Sequence, residues 1–252
     1  MLNILKKKKV YSFYLNTNPT NLDFQINETS MYSYRSVIIL ISLFVFFSCV
    51  NLQKKQAPQL LKGDLLFQDL DADSISNAIE TVTGGTEKLS FSHIGILDYD
   101  KDGNPMVLEA ISKGVSLTPL KVFLQRSANA SGKSKVVVAR LKPKYRDRIN
   151  DALNYGKLLL DKPYDNVYVM GDSNYYCSEL IYEIFDHTKD TTKIFQLHPM
   201  TFKDSKTGDY LPFWKKYYQN LGVEIPEGMP GLNPNGMFQS SHIDIVYRYD
   251  KE

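Results

Sequence analysis

Asp98–Glu109 reads DYDKDGNPMVLE, and the way this stretch folds decides the architecture. Asp98, Asp100, Asp102, Gly103 and Glu109 fall on positions 1, 3, 5, 6 and 12 of the calcium-loop pattern D-x-[DN]-x-[DN]-G-x5-E. An EF-hand also needs a helix on each side of its loop. Here the flanks are FSHIGIL at 91–97 and MVLEAI at 106–111, both rich in β-formers, and loop position 8 is Pro105. The stretch therefore reads as a β-hairpin with an acidic, glycine-containing turn, and its three aspartates as solvated turn residues. No metal and no other cofactor is assigned.

A hairpin turning near Lys101 pairs residues whose numbers sum to about 202, which sets His93 opposite Glu109 with Cβ atoms about 5 Å apart. A slip of one residue would put them on opposite faces. A carboxylate beside an imidazole accepts from one ring nitrogen, fixes the tautomer and frees the other nitrogen as a base. From the hairpin alone, a strand histidine satisfied by a structural carboxylate is the simpler account.

Outward from the hairpin, the signals of one α+β domain accumulate. GDLLFQDL at 63–70 reads as a turn and short strand, and DSISNAIETVT at 73–83 as a helix capped by Ser74. KGVSLTPL at 113–120 and KVVVARL at 135–141 extend the hairpin into an antiparallel meander. YRDRINDALNYGKLL at 145–159 is an amphipathic helix, and CSELIYEIFDHT at 177–188 is another. The stretch from Pro199 reads as aromatic loops, closed by the strand HIDIVYRYD at 242–250.

The 252 residues suit a single domain with an appendage, and a net charge of +2 gives no basic excess to suggest nucleic acid. Seventeen Tyr and thirteen Phe fit a core-rich domain with a groove. Val37–Phe47, VIILISLFVFF, is too short to span a bilayer and suits the apolar region of a secretory signal. Cys49 follows in SCV, and the layout resembles a bacterial lipoprotein signal, in which that cysteine is acylated; Phe46 and Phe47 depart from the usual pattern. The division expected is a signal segment at 1–48 (with Met31 a better start than Met1), a tether at 49–61 and the domain at 62–252. The chain is expected to be exported, held at the membrane through Cys49, and monomeric. With no Asp after Cys49, the lipoprotein resemblance favours the outer membrane.

Cys177 sits at the start of its helix in DSNYYCSELIYEIF, with Ser173 or Asn174 as the cap. Helix N–H groups and the dipole depress a thiol pKa there, and a histidine partner makes the thiolate a nucleophile. A lone cysteine is more often a small buried hydrophobe. What tips the balance is the ordered set GDLLF, SHIGI, VLEA and KPYDNVYVMGDSNYYCSELIYEIF. Together these resemble the permuted NlpC/P60 cysteine hydrolases of the YiiX/YebB type.

The resemblance implies a circularly permuted papain-like (NlpC/P60) fold and a catalytic order of His, acid, Cys. Residue by residue it implies His93 as base, Glu109 as its orienting carboxylate and Cys177 as nucleophile. Ser92, Tyr164 and Tyr176 are candidates for the substrate wall. The implied reaction is acyl transfer from an amide through a thioester, on a cell-wall peptide. A lipid amide or ester is an alternative substrate class, and a non-enzymatic binding protein on the same fold is another reading. His187, His198 and His242 show no metal-ligand spacing.

Overall fold

The computed structural model describes residues 59–70, 74–84 and 89–251. The expected signal segment and Cys49 lie outside the described residues.

Six strands form one antiparallel sheet: β1 Leu65–Gln68, β2 His93–Tyr99, β3 Pro105–Ile111, β4 Gly114–Pro119, β5 Val136–Leu141 and, last in the chain, β8 Ile243–Arg248. Their spatial order is β4-β3-β2-β1-β5-β8. The expected meander holds for β2, β3 and β4. It ends at Leu120, where a short helix α2, Leu120–Arg126, carries the chain over one face, so that β5 pairs with β1 instead of β4. The expected third strand thus loses Leu120, which is buried as the first residue of α2.

The opening hairpin forms, two residues out of the expected register. Leu97 pairs with Val107 and Tyr99 with Pro105, so the turn centres on Asp102. The cause is the turn chemistry. The Asp100 amide donates to the Asn104 carbonyl at 3.0 Å, Gly103 donates to the Asp100 carbonyl at 3.1 Å, and Gly103 takes a left-handed φ of 81°. That is a three-residue loop with its glycine in the αL position. Asp100 Oδ1 accepts from the amides of Asp102 and Asn104, so this side chain closes the turn. A two-residue shift keeps every side chain on its own face. His93 and Glu109 stay on one face as diagonal neighbours.

Both faces of the sheet are covered, which is why β1 is buried along its whole length instead of alternating. One face carries Leu65, Phe67, Ile96 and Leu108 into the main core. There they meet α3, Ile149–Leu158, and α4, Cys177–Asp186. The other face carries Leu66, Leu97 and Val107 against Leu120 and Phe123 of α2. Each such side chain buried contributes about 1.5–3 kcal/mol. The expected amphipathic helix at 145–159 is two pieces, a 3-10 turn at Pro143–Arg148 and then α3.

A third cluster lies beside the cleft. Helix α1, Ser74–Thr83, packs Ala78 and Val82 against Phe202, Trp214 and Tyr218. The last two belong to α5, Pro212–Leu221, in the stretch read from sequence as loops. Its signals are Pro212 in the first turn and Gly222 just past the end, in the αL conformation with φ 70°. Tyr and Trp density hid them. Two short paired segments, β6 His198–Pro199 and β7 Pro230–Gly231, form a ribbon, followed by α6, Pro234–Phe238. His198 therefore lies in this ribbon and not in a free loop. Among the described residues, no helix is long and apolar enough to cross a membrane.

Candidate active site

Cys177 is the first residue of α4, after Tyr176 in extended backbone at the cap position. The helix starts later than the expected cap at Ser173 or Asn174. Asn174 is instead held in a tight turn by Asp172, whose Oδ1 accepts the Asn174 amide at 2.6 Å. The capping work passes to buried Glu179, whose carboxyl accepts from the backbone amides of Tyr176 and Gly171 at 3.4 and 3.3 Å. The thiol thus stands where free backbone N–H groups and the positive end of the dipole are concentrated.

His93 opens β2 and reaches the thiol from the neighbouring strand end. Its Nε2 meets Glu109 Oε2 at 2.7 Å, which leaves Nδ1 as the nitrogen available to Cys177, whose influence helps to raise the imidazole pKa. All three side chains are buried. Burial alone would pull the imidazole pKa down. The hydrogen bonds and charges of Cys177 and Glu109 outweigh it and push His93 up to about 9. Burial disfavours the thiolate too, yet the hydrogen bond and charge of His93 bring the Cys177 pKa below its ordinary value. Each group thus favours the charged form of the other.

The acid carries a partner that sequence reading missed. Arg126, at the end of α2, donates to the same Glu109 Oε2 at 2.6 Å. Its guanidinium also lies over the Phe123 ring, 5.0 Å from the centroid. Burial opposes the Glu109 charge, but His93 and Arg126 overcome it and hold the carboxyl down at about 2. Gln68, opposite His93 on β1, completes the layer. Its amide donates to the Phe123 carbonyl at 2.6 Å and to Ser127 Oγ at 3.0 Å. The signal for Arg126 was the helical spacing of Leu120, Phe123 and Leu124, which the strand reading of 113–120 overran.

Ser92, Tyr164, Tyr176 and Cys177 line one cleft. Ser92 Oγ accepts the Leu70 amide at 3.0 Å. Tyr176 is fixed by its phenol oxygen, which accepts the Leu232 amide at 3.1 Å. Burial pushes the Tyr164 phenol well above its usual pKa, so it stays a neutral hydroxyl. Sequence reading missed the opposite wall, Ile79 and Val82 from α1 with Met200, Phe202 and Trp214. The remaining histidines stand elsewhere. His187 stacks on Tyr155 with centroids 3.5 Å apart, His198 bonds Asn233 at 3.1 Å and His242 bonds the Ile194 carbonyl at 3.1 Å.

A cysteine at a helix start, a strand histidine and an acid behind it, arriving in the order His, Glu, Cys, define a permuted papain-like arrangement. Residues 59–247 match the family of permuted papain-like amidase enzymes, YaeF/YiiX, C92 family, and the chain belongs to that family. It is 31% identical over 126 residues to the uncharacterized protein YiiX of Escherichia coli K12. That match spans 50% of this chain and 57% of the relative's length. The crystal structure of metalloprotein yiiX from Escherichia coli O157:H7 superposes with a TM-score of 0.61. It covers 76% of this chain and 98% of that one at 24% identity, a likeness of fold. The permuted papain-like expectation is thus borne out, while the wider NlpC/P60 kinship stays with the sequence resemblance.

Proposed function

We propose that this member of the amidase family is a cysteine hydrolase acting by acyl transfer through Cys177, with His93 as general acid–base and Glu109 as the carboxylate that orients it. The observation that carries this reading is the bond of His93 Nε2 to Glu109 Oε2 at 2.7 Å, with both side chains and Cys177 buried. In the first half-reaction the thiolate attacks an amide carbonyl carbon, a C–S bond forms and the C–N bond breaks. The imidazolium gives its proton to the departing amine. In the second, His93 takes a proton from water as the water adds to the thioester, the C–S bond breaks, the carboxylic acid leaves and the thiolate–imidazolium pair returns. The backbone N–H of Cys177, at the first position of α4, is the donor best placed for the oxyanion.

The Escherichia coli O157:H7 protein of similar fold is described as a metalloprotein. Among the described residues here, no three His, Cys, Asp or Glu side chains gather as a metal site. His93 and Glu109 are committed to each other, and no step is routed through a metal. The lipoprotein-like layout at Cys49 supports export and anchoring in the cell envelope, where a single catalytic domain would meet its amide substrate as a monomer.

The test is the rate of Cys177 alkylation by iodoacetamide against pH, in protein expressed from Val50 so that Cys49 is gone. Wild type should react on a plateau reaching well below the ordinary thiol midpoint of about 8.5. His93→Ala should lose that plateau while keeping its circular dichroism. An ordinary thiol titration in both proteins would sink the hydrolase reading.

A further inference from the structure

We infer that the fold carries a second binding site, separate from the Cys177 cleft, for an uncharged, hydroxyl-rich ligand of the pyranose-sugar class. The site is a cavity of about 410 Å³ between the segment Ile194–His198 and the turn that leads from α6 into β8. It shares only Leu232 with the lining of the Cys177 cleft. Its volume falls in the range of small-molecule sites, about 300–1,000 Å³.

Two histidines line this cavity, and their neighbours assign the ring nitrogens. The Ile194 carbonyl can only accept, so His242 Nδ1, 3.1 Å away, is the donor, and Nε2 of the neutral ring is a bare acceptor. Ser240 Oγ donates to the same carbonyl at 2.8 Å and accepts the His242 amide at 3.2 Å. The Tyr145 ring meets the His242 ring edge-on, with centroids 4.8 Å apart. Asn233 Oδ1 accepts the Gly236 amide at 2.8 Å, which sets its Nδ2 toward His198 Nε2 at 3.1 Å. His198 Nε2 therefore accepts, and Nδ1 carries the proton of the neutral ring. Gly236 lets that ring lie close, since a Cβ there would stand 3.1 Å from His198 Cε1. Each ring is thus held by protein contacts before any ligand arrives, which lowers the ordering cost of binding.

His242 Nε2 and His198 Nδ1 have no hydrogen-bond partner among the described residues, nor do the side chains of Gln196 and Ser241. One acceptor, one donor, an amide and a hydroxyl therefore remain available around the cavity. The apolar part of the lining is Ile194, Phe195, Leu232 and Met237, all buried. Among the described residues, no Lys, Arg, Asp or Glu lines it. A charged ligand would find no countercharge there. A wholly apolar ligand would take water from the polar groups and leave them unpaired. A pyranose suits both kinds of surface, because each hydroxyl donates and accepts and the C–H face of the ring packs on apolar side chains.

The experiment titrates the isotope-labelled protein with methyl β-glucoside, maltose and cellobiose, and follows the histidine ring signals by NMR. The chain has four histidines, so the readout is sparse. Before any addition, His198 and His242 should both carry the proton on Nδ1. On addition of a neutral saccharide these two rings should shift together, while His93 and His187 stay in place. The dissociation constant should rise about threefold to tenfold in Gln196→Ala and in Ser241→Ala, the worth of one hydrogen bond each. Both positions are exposed, so the fold does not depend on them. Glucuronate and glucosamine, which add one charge to the same ring, should bind at least about tenfold more weakly than the neutral sugars. The site is overturned if none of the three neutral saccharides shifts His198 and His242, if the charged sugars bind as well, or if both variants bind like wild type. Protons found on Nε2 of both rings would overturn it as well, by removing the preset donor and acceptor. The alkylation rate of Cys177 is read separately, so either result leaves the hydrolase reading to its own test.

Discussion

Glu109 Oε2 takes two short charge-assisted bonds, from His93 and from Arg126, while Oε1 has no hydrogen-bond partner among the described residues. The acid is thus aimed through one oxygen. Glu109→Gln keeps the shape and removes the charge. Without it the imidazolium loses a stabilising partner and the thiolate titrates higher. Alkylation of Cys177 at pH 6 should fall about tenfold, the factor that one pH unit of displaced midpoint gives. Arg126 has a different readout. Glu109 sits at about 2 in the fold against an ordinary 4.5. Its contribution to stability is therefore complete above the ordinary value and lost as pH falls through about 2. Arg126→Ala weakens the depression, so the acid loss of stability should be smaller and end at a higher pH, and stability at neutral pH should drop by about 2 kcal/mol for a partly exposed partner of a buried charge. Equal acid limbs in variant and wild type would show that the pairing does not hold Glu109 down. The acid and base were legible in the sequence because alternation fixes the face; Arg126 was not, because it arrives from a helix whose seven residues sit directly against a strand.

At the scale of elements, the start of α4 is where sequence and structure part. Ser173 and Asn174 carry the usual capping chemistry, yet Glu179 takes the Tyr176 amide and the helix begins at Cys177 itself. A carboxyl three residues into a helix, reaching back to the cap amide, is half of a capping box, and that spacing was visible in YCSE. Burial is the largest influence on Glu179 and pushes it up to about 8; Asp165 and Asp172 add to the rise, and the Gly171 and Tyr176 amides oppose it. The folded pKa lies above the ordinary 4.5, so Glu179 favours the fold fully below that value, and the contribution is lost as pH rises through about 8. Chemical unfolding should show stability declining between those limits. In Glu179→Gln that part of the decline should vanish, because an amide accepts from the backbone without titrating. A slope unchanged by the substitution would place the titration elsewhere. The hairpin differs in the same way: its faces were legible from alternation, its register was not, because Gly103 sets the turn and centres it on Asp102 instead of Lys101.

Over the whole molecule, the sheet brings His93 and Glu109 together, α4 brings Cys177, and the ribbon with α5 closes the cleft from the far side. The first two were legible, since strands and an apolar helix carry strong periodicity. The third was not, since Pro199–Gly231 looks like aromatic loop and its order comes from tertiary contacts such as Phe202 on Trp214, with ring centroids 5.2 Å apart. Tyr176 joins the parts. It precedes the nucleophile, its phenol oxygen accepts the Leu232 amide, and it touches the Met200 sulfur at 4.0 Å. Leu232 in turn belongs both to the main core and to the cleft wall. Tyr176→Phe keeps the ring and strands the buried Leu232 amide, a loss of about 1–3 kcal/mol. The urea midpoint should fall with an unchanged slope, because the surface exposed on unfolding is the same. The pH midpoint of iodoacetamide alkylation should stay where it is, because His93 and Glu109 hang from the sheet and not from the ribbon. A variant that lost thiolate reactivity together with stability would show that the ribbon supports the Cys177–His93 pair itself, and the division of labour between sheet and ribbon would have to be redrawn.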